Sequence, residues 1–319
     1  MASQSFNQDS AGAPDLNGVS GSAVALLDWL FDAARLDWEI VFTATNKRVY
    51  RPRAGARMYL RVDDSGAEAR WAGVRLFQTM SNIDTGTNQT PTSGQHTRFN
   101  IAKSSDANST AVKWVAEGDD RGLFLFIRGF STAFQRWSGF VFCDPVQNDA
   151  LENFGTMIGA STGTSAASWG SDAHPFSSNI QALDTNNNMY MPTDSQNNGE
   201  SRPVGAMLYR YGTAFSQSFG GSSDGLRYPE PTSSGLVAYQ PPWISELETG
   251  GAGYSLRGNL PCVWAICADE DTQPIATGTD AVEFAGSGVY AGKQFIAIPA
   301  LMGSSSGAGN LIIEKGFER

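Results

Sequence analysis

Gly159-Ala160-Ser161-Thr162-Gly163 and Gly303-Ser304-Ser305-Ser306-Gly307 both fit the G-x-S-x-G spacing. In hydrolases that spacing holds a nucleophilic serine on a strained turn between a strand and a helix. The chemistry would be acyl transfer, which needs an imidazole to take the serine proton. Only His96 and His174 can supply one. His96 lies in the turn-like stretch Thr92-Ser93-Gly94-Gln95-His96-Thr97, and His174 stands two residues after Asp172. The second arrangement suits a loop imidazole bonded to a nearby carboxylate better than a general base. Neither serine motif separates an apolar strand from a helix, and in a chain with 35 glycines such matches arise from composition alone. Both are read as loops.

Carboxylates occur side by side at Asp63-Asp64, Asp119-Asp120 and Asp269-Glu270-Asp271. Glycoside hydrolysis needs two carboxyls at a fixed separation across a cleft, whereas sequence neighbours on a turn point in different directions. Solvated hairpin tips are the expectation for each pair. Asp184-Thr185-Asn186-Asn187-Asn188 imitates the start of a calcium loop, but Met189 replaces the required glycine and Ser195 stands where the closing glutamate belongs. An Asn-rich surface loop is expected there. Cys143, Cys262 and Cys267 lack Cys-x-x-Cys spacing and read as buried free thiols. Two distant histidines without paired cysteines give no zinc site. No catalytic, cofactor-binding or metal-ligating residue is therefore assigned, and the expectation is that the chain is not an enzyme.

Two further groups of residues could serve binding. Lys47, Arg48, Arg51, Arg53, Arg57 and Arg61 form the one basic concentration in a chain of net charge -10. It is read as a solvated hairpin or a salt-bridged subunit interface, with no sequence-specific nucleic-acid contact. Tyr209, Tyr211, Phe215, Phe219, Tyr228, Tyr239, Trp243 and Tyr254 lie in a Gly- and Pro-rich region. A carbohydrate platform or protein interface would use such aromatics, and so would a β core, which is the preferred reading.

The elements that must position these residues are mostly strands. The apolar residues Ala23, Val24, Leu26, Leu27, Leu30, Phe31 and Ala34 recur at helical spacing over 23–36, and Ser20 or Ser22 could cap that helix. After Asp37 the pattern becomes β. Trp38–Thr43 and Arg48–Tyr50 flank Asn46-Lys47 as a hairpin, and Met58–Val62 returns through Asp63-Asp64-Ser65-Gly66 as Ala69–Phe77. Ala111–Val115 and Leu123–Ile127 are joined by a loop over Gly118–Gly122, and Phe140–Cys143 ends before Asp144-Pro145. Later strand signals fall at Gly205–Tyr211, Leu236–Tyr239, Cys262–Ile266, Gln294–Ile298 and Leu311–Glu314. Between them, Ser161–Ser171 and Asp184–Gly199 read as long loops.

The predicted fold is thus mainly β, sandwich- or barrel-like, with one N-terminal helix and long loops. Residues 1–19 read as an extended arm ordered only on a partner, 20–145 as a helix plus β domain, and 146–319 as a loop-rich β domain. With 41% hydrophobic residues a packed core is expected. Neither a secretory signal nor an 18-residue apolar window is seen, so no membrane partner is expected.

Several stretches together resemble a family of structural proteins of tailed-bacteriophage virions. They are Ala13-Pro14-Asp15-Leu16-Asn17-Gly18 through Ala25-Leu26-Leu27-Asp28, then Leu60–Gly66 with Ala69-Arg70, and Met80-Ser81-Asn82-Ile83-Asp84-Thr85-Gly86-Thr87. Trp114–Arg121, Leu256-Arg257-Gly258-Asn259-Leu260-Pro261 and Gly292-Lys293-Gln294-Phe295 follow in the same order. The chain departs from the family at Cys262, where glycine is more usual. The resemblance implies a non-enzymatic part of the virion tail, baseplate or neck, assembled in the host bacterial cytoplasm as a symmetric homo-oligomer. Its partners would be copies of itself and neighbouring virion proteins. A capsid decoration or cement protein and a carbohydrate-recognising receptor-binding tail module are the alternatives. No site residue carries over.

Overall fold

The computed structural model describes residues 2–66, 69–92, 99–104, 106–128, 137–146, 155–161, 189–192, 201–207, 238–240, 243–247, 254–267, 280–298 and 311–319. In chain order the first elements are β1 (Gln4–Asn7), α1 (Ser22–Leu30), β2 (Glu39–Ala44), β3 (Lys47–Arg51), β4 (Tyr59–Asp63), β5 (Trp71–Phe77), β6 (Thr79–Asn82), β7 (Thr85–Thr87) and β8 (Asn100–Ala102). The middle strands are β9 (Trp114–Asp119), β10 (Gly122–Arg128), β11 (Trp137–Cys143), β12 (Met157–Gly159), β13 (Met189–Met191) and β14 (Arg202–Met207). The last are β15 (Ala238–Gln240), β16 (Trp243–Leu247), β17 (Tyr254–Asn259), β18 (Val263–Cys267), β19 (Val282–Ala285), β20 (Gln294–Ile298) and β21 (Leu311–Lys315). The chain is mainly β, with one α-helix among the described residues. No described helix is long and apolar enough to cross a membrane.

Every ladder among the described residues is antiparallel. The largest sheet has the order β1-β9-β10-β11-β12-β13-β14-β16-β17; the others are β2-β3-β4-β5-β8, β15-β18-β21-β20-β19 and the ribbon β6-β7. None of these described sheets closes into a barrel. They stack in layers, because the central strands are apolar on both faces. Along β10, Leu123, Leu125 and Ile127 enter one core and Phe124 and Phe126 enter another. On β11, Phe140 and Phe142 belong to the first core, and Val141 and Cys143 to the second. The first core is closed by α1 and by Leu60, Val62, Ala72, Val74 and Leu76 of the β2–β8 sheet. The second is closed by Val263, Ile296, Ile298 and Ile313 of the C-terminal sheet.

Three findings bear on the expected arm, boundary and helix. The arm over residues 1–19 is folded on its own chain: Gln4–Asn7 pairs with Gly118–Val115 of β9, and Leu16 is buried. Its four residues alternate Ser5 and Asn7 against Gln4 and Phe6, a pattern too short for periodicity to reveal. The boundary placed near 145 falls inside the largest sheet, which continues from β11 into β12, so backbone pairing joins the two segments expected as domains. The helix stops at Leu30 rather than 36, and its N-cap is Gly21 in the left-handed region, without a side-chain cap from Ser20 or Ser22.

Hairpin details move as well. The β9–β10 turn is only Asp120-Arg121, and Glu117–Asp119 belong to the strand. Asp119 Oδ1 accepts the Arg121 N–H at 2.8 Å, which tightens the reversal. The β2–β3 turn uses Thr45-Asn46, with Asn46 at φ 53, and Lys47 starts the next strand.

Candidate functional site

Strand alternation splits each described acidic pair. In Asp63-Asp64 the first side chain faces outward and the second inward. Asp63 receives Lys47 at 3.0 Å and Arg61 at 2.9 Å. Partial burial works against its charge, but hydrogen bonds from Ser65 and Lys47 and the nearby Arg61 outweigh it and bring its pKa to about 2. Asp64 is 1% exposed and pairs at 2.5 Å with Lys103, whose side chain is wholly buried. Burial pushes Asp64 up and Lys103 down, and each supplies the other's counter-charge. The pair also organises α1. Asp64 Oδ2 accepts the Ala23 N–H at 2.9 Å, its carbonyl accepts Gly21 N–H and Ser20 Oγ, and Lys103 Nζ donates to the Val19 carbonyl. The helix cap is therefore a carboxylate 41 residues away in sequence.

Asp119-Asp120 divides in the same way. Asp119 is buried and bound by Arg319, with Nε to Oδ2 at 2.7 Å. Its carbonyl accepts the Trp38 indole N–H. Arg319 also donates to the Asp144 carbonyl. Asp144 Oδ1 accepts the Thr156 hydroxyl and Oδ2 the Ala56 N–H, while burial raises its pKa. For Asp64 and Asp119 the expectation of a solvated tip is corrected; each is a buried acceptor that joins remote segments.

A third centre lies along β9. Glu117 is 1% exposed and accepts the hydroxyls of Ser3 and Ser5 and, at 2.9 Å, the Gly316 N–H. Burial raises its pKa against the pull of these donors. On the opposite face of β1, Phe6 meets Trp29 edge-on at 5.5 Å, and Trp29 meets Trp114 at 6.1 Å. Gln4 donates to the Arg35 carbonyl, and Ser3 N–H donates to the Phe317 carbonyl. Strand β1 is thus held by backbone pairing, a carboxylate and an aromatic slot at once.

The basic concentration is resolved into ion pairs within the chain. Arg48 meets Asp28 at 3.0 Å, Arg51 meets Glu39 at 2.6 Å, and Arg53 meets Asp37 at 3.5 Å. Arg57 reaches Glu39, and Arg61 and Lys47 reach Asp84 on the loop of the β6–β7 ribbon. Arg75, opposite Arg61 in the ladder, is brought down to about 10 by its burial and by that neighbouring charge.

Cys143 and Cys262 are buried free thiols, and burial raises both, so neither is poised as a thiolate. Ser161 exchanges two backbone hydrogen bonds with Asn100 and is buried, and Met189 is buried on β13. His96, His174, Thr162–Gly163, Gly303–Gly307, Asp184–Asn188 and Asp269–Asp271 lie outside the described residues, as do Tyr209, Tyr211, Phe215, Phe219 and Tyr228. The backbones of Tyr239, Trp243 and Tyr254 are in β15, β16 and β17. Sequence reasoning passed over Ser3, Ser5, Phe6, Lys103 and Arg319. Only the Ser-x-Ser alternation and a lone cation ending the run Phe99–Lys103 could have signalled them.

What these residues form is a set of fold-holding clasps in a layered antiparallel β protein. No family model matches the chain, and no curated protein does so either.

Proposed function

We propose that this protein is a non-enzymatic structural component of a tailed-phage virion, acting by assembly as a symmetric homo-oligomer in the tail, baseplate or neck. The observation that carries the reading is how the chain uses its charge. Asp64, Glu117 and Asp119 are buried and Asp144 is partly buried, and each ties distant segments together. The surface cations of the β2–β4 hairpins are likewise engaged by carboxylates of the same chain. Such chemistry builds a rigid block, and burial keeps the thiols of Cys143 and Cys262 protonated. The short sequence stretches set out above supply the virion context.

Mass spectrometry of purified particles, with copy number scaled to the major capsid protein, tests the assignment. The expected result is a ring-like number, about six to a few dozen copies per particle. Hundreds of copies would replace it with capsid decoration, and absence from particles would remove the virion reading.

A further inference from the structure

We propose that the slot along β9 is a strand-acceptor site between copies, filled in the assembly by Ser3–Asn7 of a second copy of this chain. The inference rests on self-assembly, part of the function proposed above, but not on the kind of particle.

The slot reads its occupant in three ways. Its backbone edge pairs with an extended segment in the register Gln4 to Gly118, Ser5 to Glu117, Phe6 to Ala116 and Asn7 to Val115. Glu117 takes hydroxyl donors from the two residues on one face of that segment, Ser3 and Ser5. On the other face Trp29 receives an aromatic ring, that of Phe6. A buried carboxylate stripped of both hydroxyl donors and left with the Gly316 N–H is costly, so the slot does not tolerate vacancy. It selects an extended Ser-x-Ser-aromatic strand, the pairing mode of β-augmentation.

The resident strand is suited to exchange. All four residues of β1 are only partly buried, and β1 is an edge with a single neighbouring strand. In the link over residues 8–15, Asp9, Ala11, Gly12 and Asp15 are exposed; its anchors are Gln8, which accepts the Trp114 N–H, and Ala13, which packs against the first core just before Leu16 enters it. Eight extended residues reach up to roughly 26 Å, enough to cross to an adjoining copy. Exchange of an identical element preserves every contact in the slot, so it changes the partner without changing the chemistry.

Cysteine pairs on the full chain test this. Asn7→Cys in one population and Val115→Cys in another, mixed at assembling concentration and oxidised, should give a covalent dimer. Asn7→Cys mixed with Asp32→Cys is the off-register control. A yield no higher than that control overturns the proposal. A second measurement is independent of Val115. Phe6→Ala should raise the concentration needed for half-assembly about tenfold or more, as loss of an aromatic anchor does. Unchanged assembly by light scattering would equally overturn it. Particle mass spectrometry is unaffected by either result, so the two proposals fail separately.

Discussion

Replacing Lys103 with methionine would leave the Asp64 carboxylate buried without its counter-ion. The expected cost is about 3–5 kcal/mol, read as a lower midpoint in urea denaturation. Adding Asp64→Asn should recover part of that loss, because the amide oxygen can still accept the Ala23 N–H while the stranded charge is gone. Asp63, its outward neighbour, makes the opposite kind of contribution. Its pKa falls from an ordinary 3.8 to about 2, so the fold favours its ionised form. That stabilisation is complete above pH 4 and is lost as pH falls through 2. Asp63→Asn should therefore reduce the acid sensitivity between those values, to which Asp84 and Asp280 also contribute. Solvent screening reduces the effect to on the order of 1 kcal/mol, measurable by comparing melting temperatures at pH 2.5 and pH 5.

At the scale of elements, the β6–β7 ribbon is the informative case. A two-stranded hairpin is marginal alone, and this one is tied down by Arg61, which donates to the Ile83 carbonyl at 3.0 Å and to Asp84. Arg61→Ala should speed hydrogen exchange across residues 79–87 while shifting global stability by no more than about 1 kcal/mol. Unchanged exchange would show that the ribbon is held by something other than this cation. Helix α1 shows the same dependence on a remote group. Its apolar face was legible as Ala23, Val24, Leu26, Leu27 and Leu30, but its start is set by Asp64 and its end by Phe31–Trp38 turning back onto Leu27–Asp32.

Across the whole molecule, the central sheet is shared by two cores, and neighbouring residues of one strand serve different cores. Leu125 lies in the first and Phe126 in the second. Leu125→Ala should cost about 2–5 kcal/mol and Phe126→Ala about 3–5 kcal/mol. Both should lower one common unfolding transition, because neither core exists without the sheet between them. Two separate calorimetric transitions would contradict that coupling and support a division into independent domains.

Composition and period were enough to establish a mainly β chain, one amphipathic helix near the start, and strands at Met58–Val62, Ala69–Phe77 and Gln294–Ile298, which the structure places at Tyr59–Asp63, Trp71–Phe77 and Gln294–Ile298. These follow from local side-chain order, which is a property of the sequence itself. The apolar runs Leu123–Ile127 and Phe140–Cys143 also announced strands, but not that their two faces would enter two different cores. Nothing local could pair Asp64 with Lys103, Asp119 with Arg319, or Glu117 with Ser3, Ser5 and Gly316. Those partners lie 39, 200, 114, 112 and 199 residues apart and meet only after the sheets have stacked. Burial then decides what each carboxylate is: a solvated charge on the outward side of a strand, and a clasp between distant segments on the inward side.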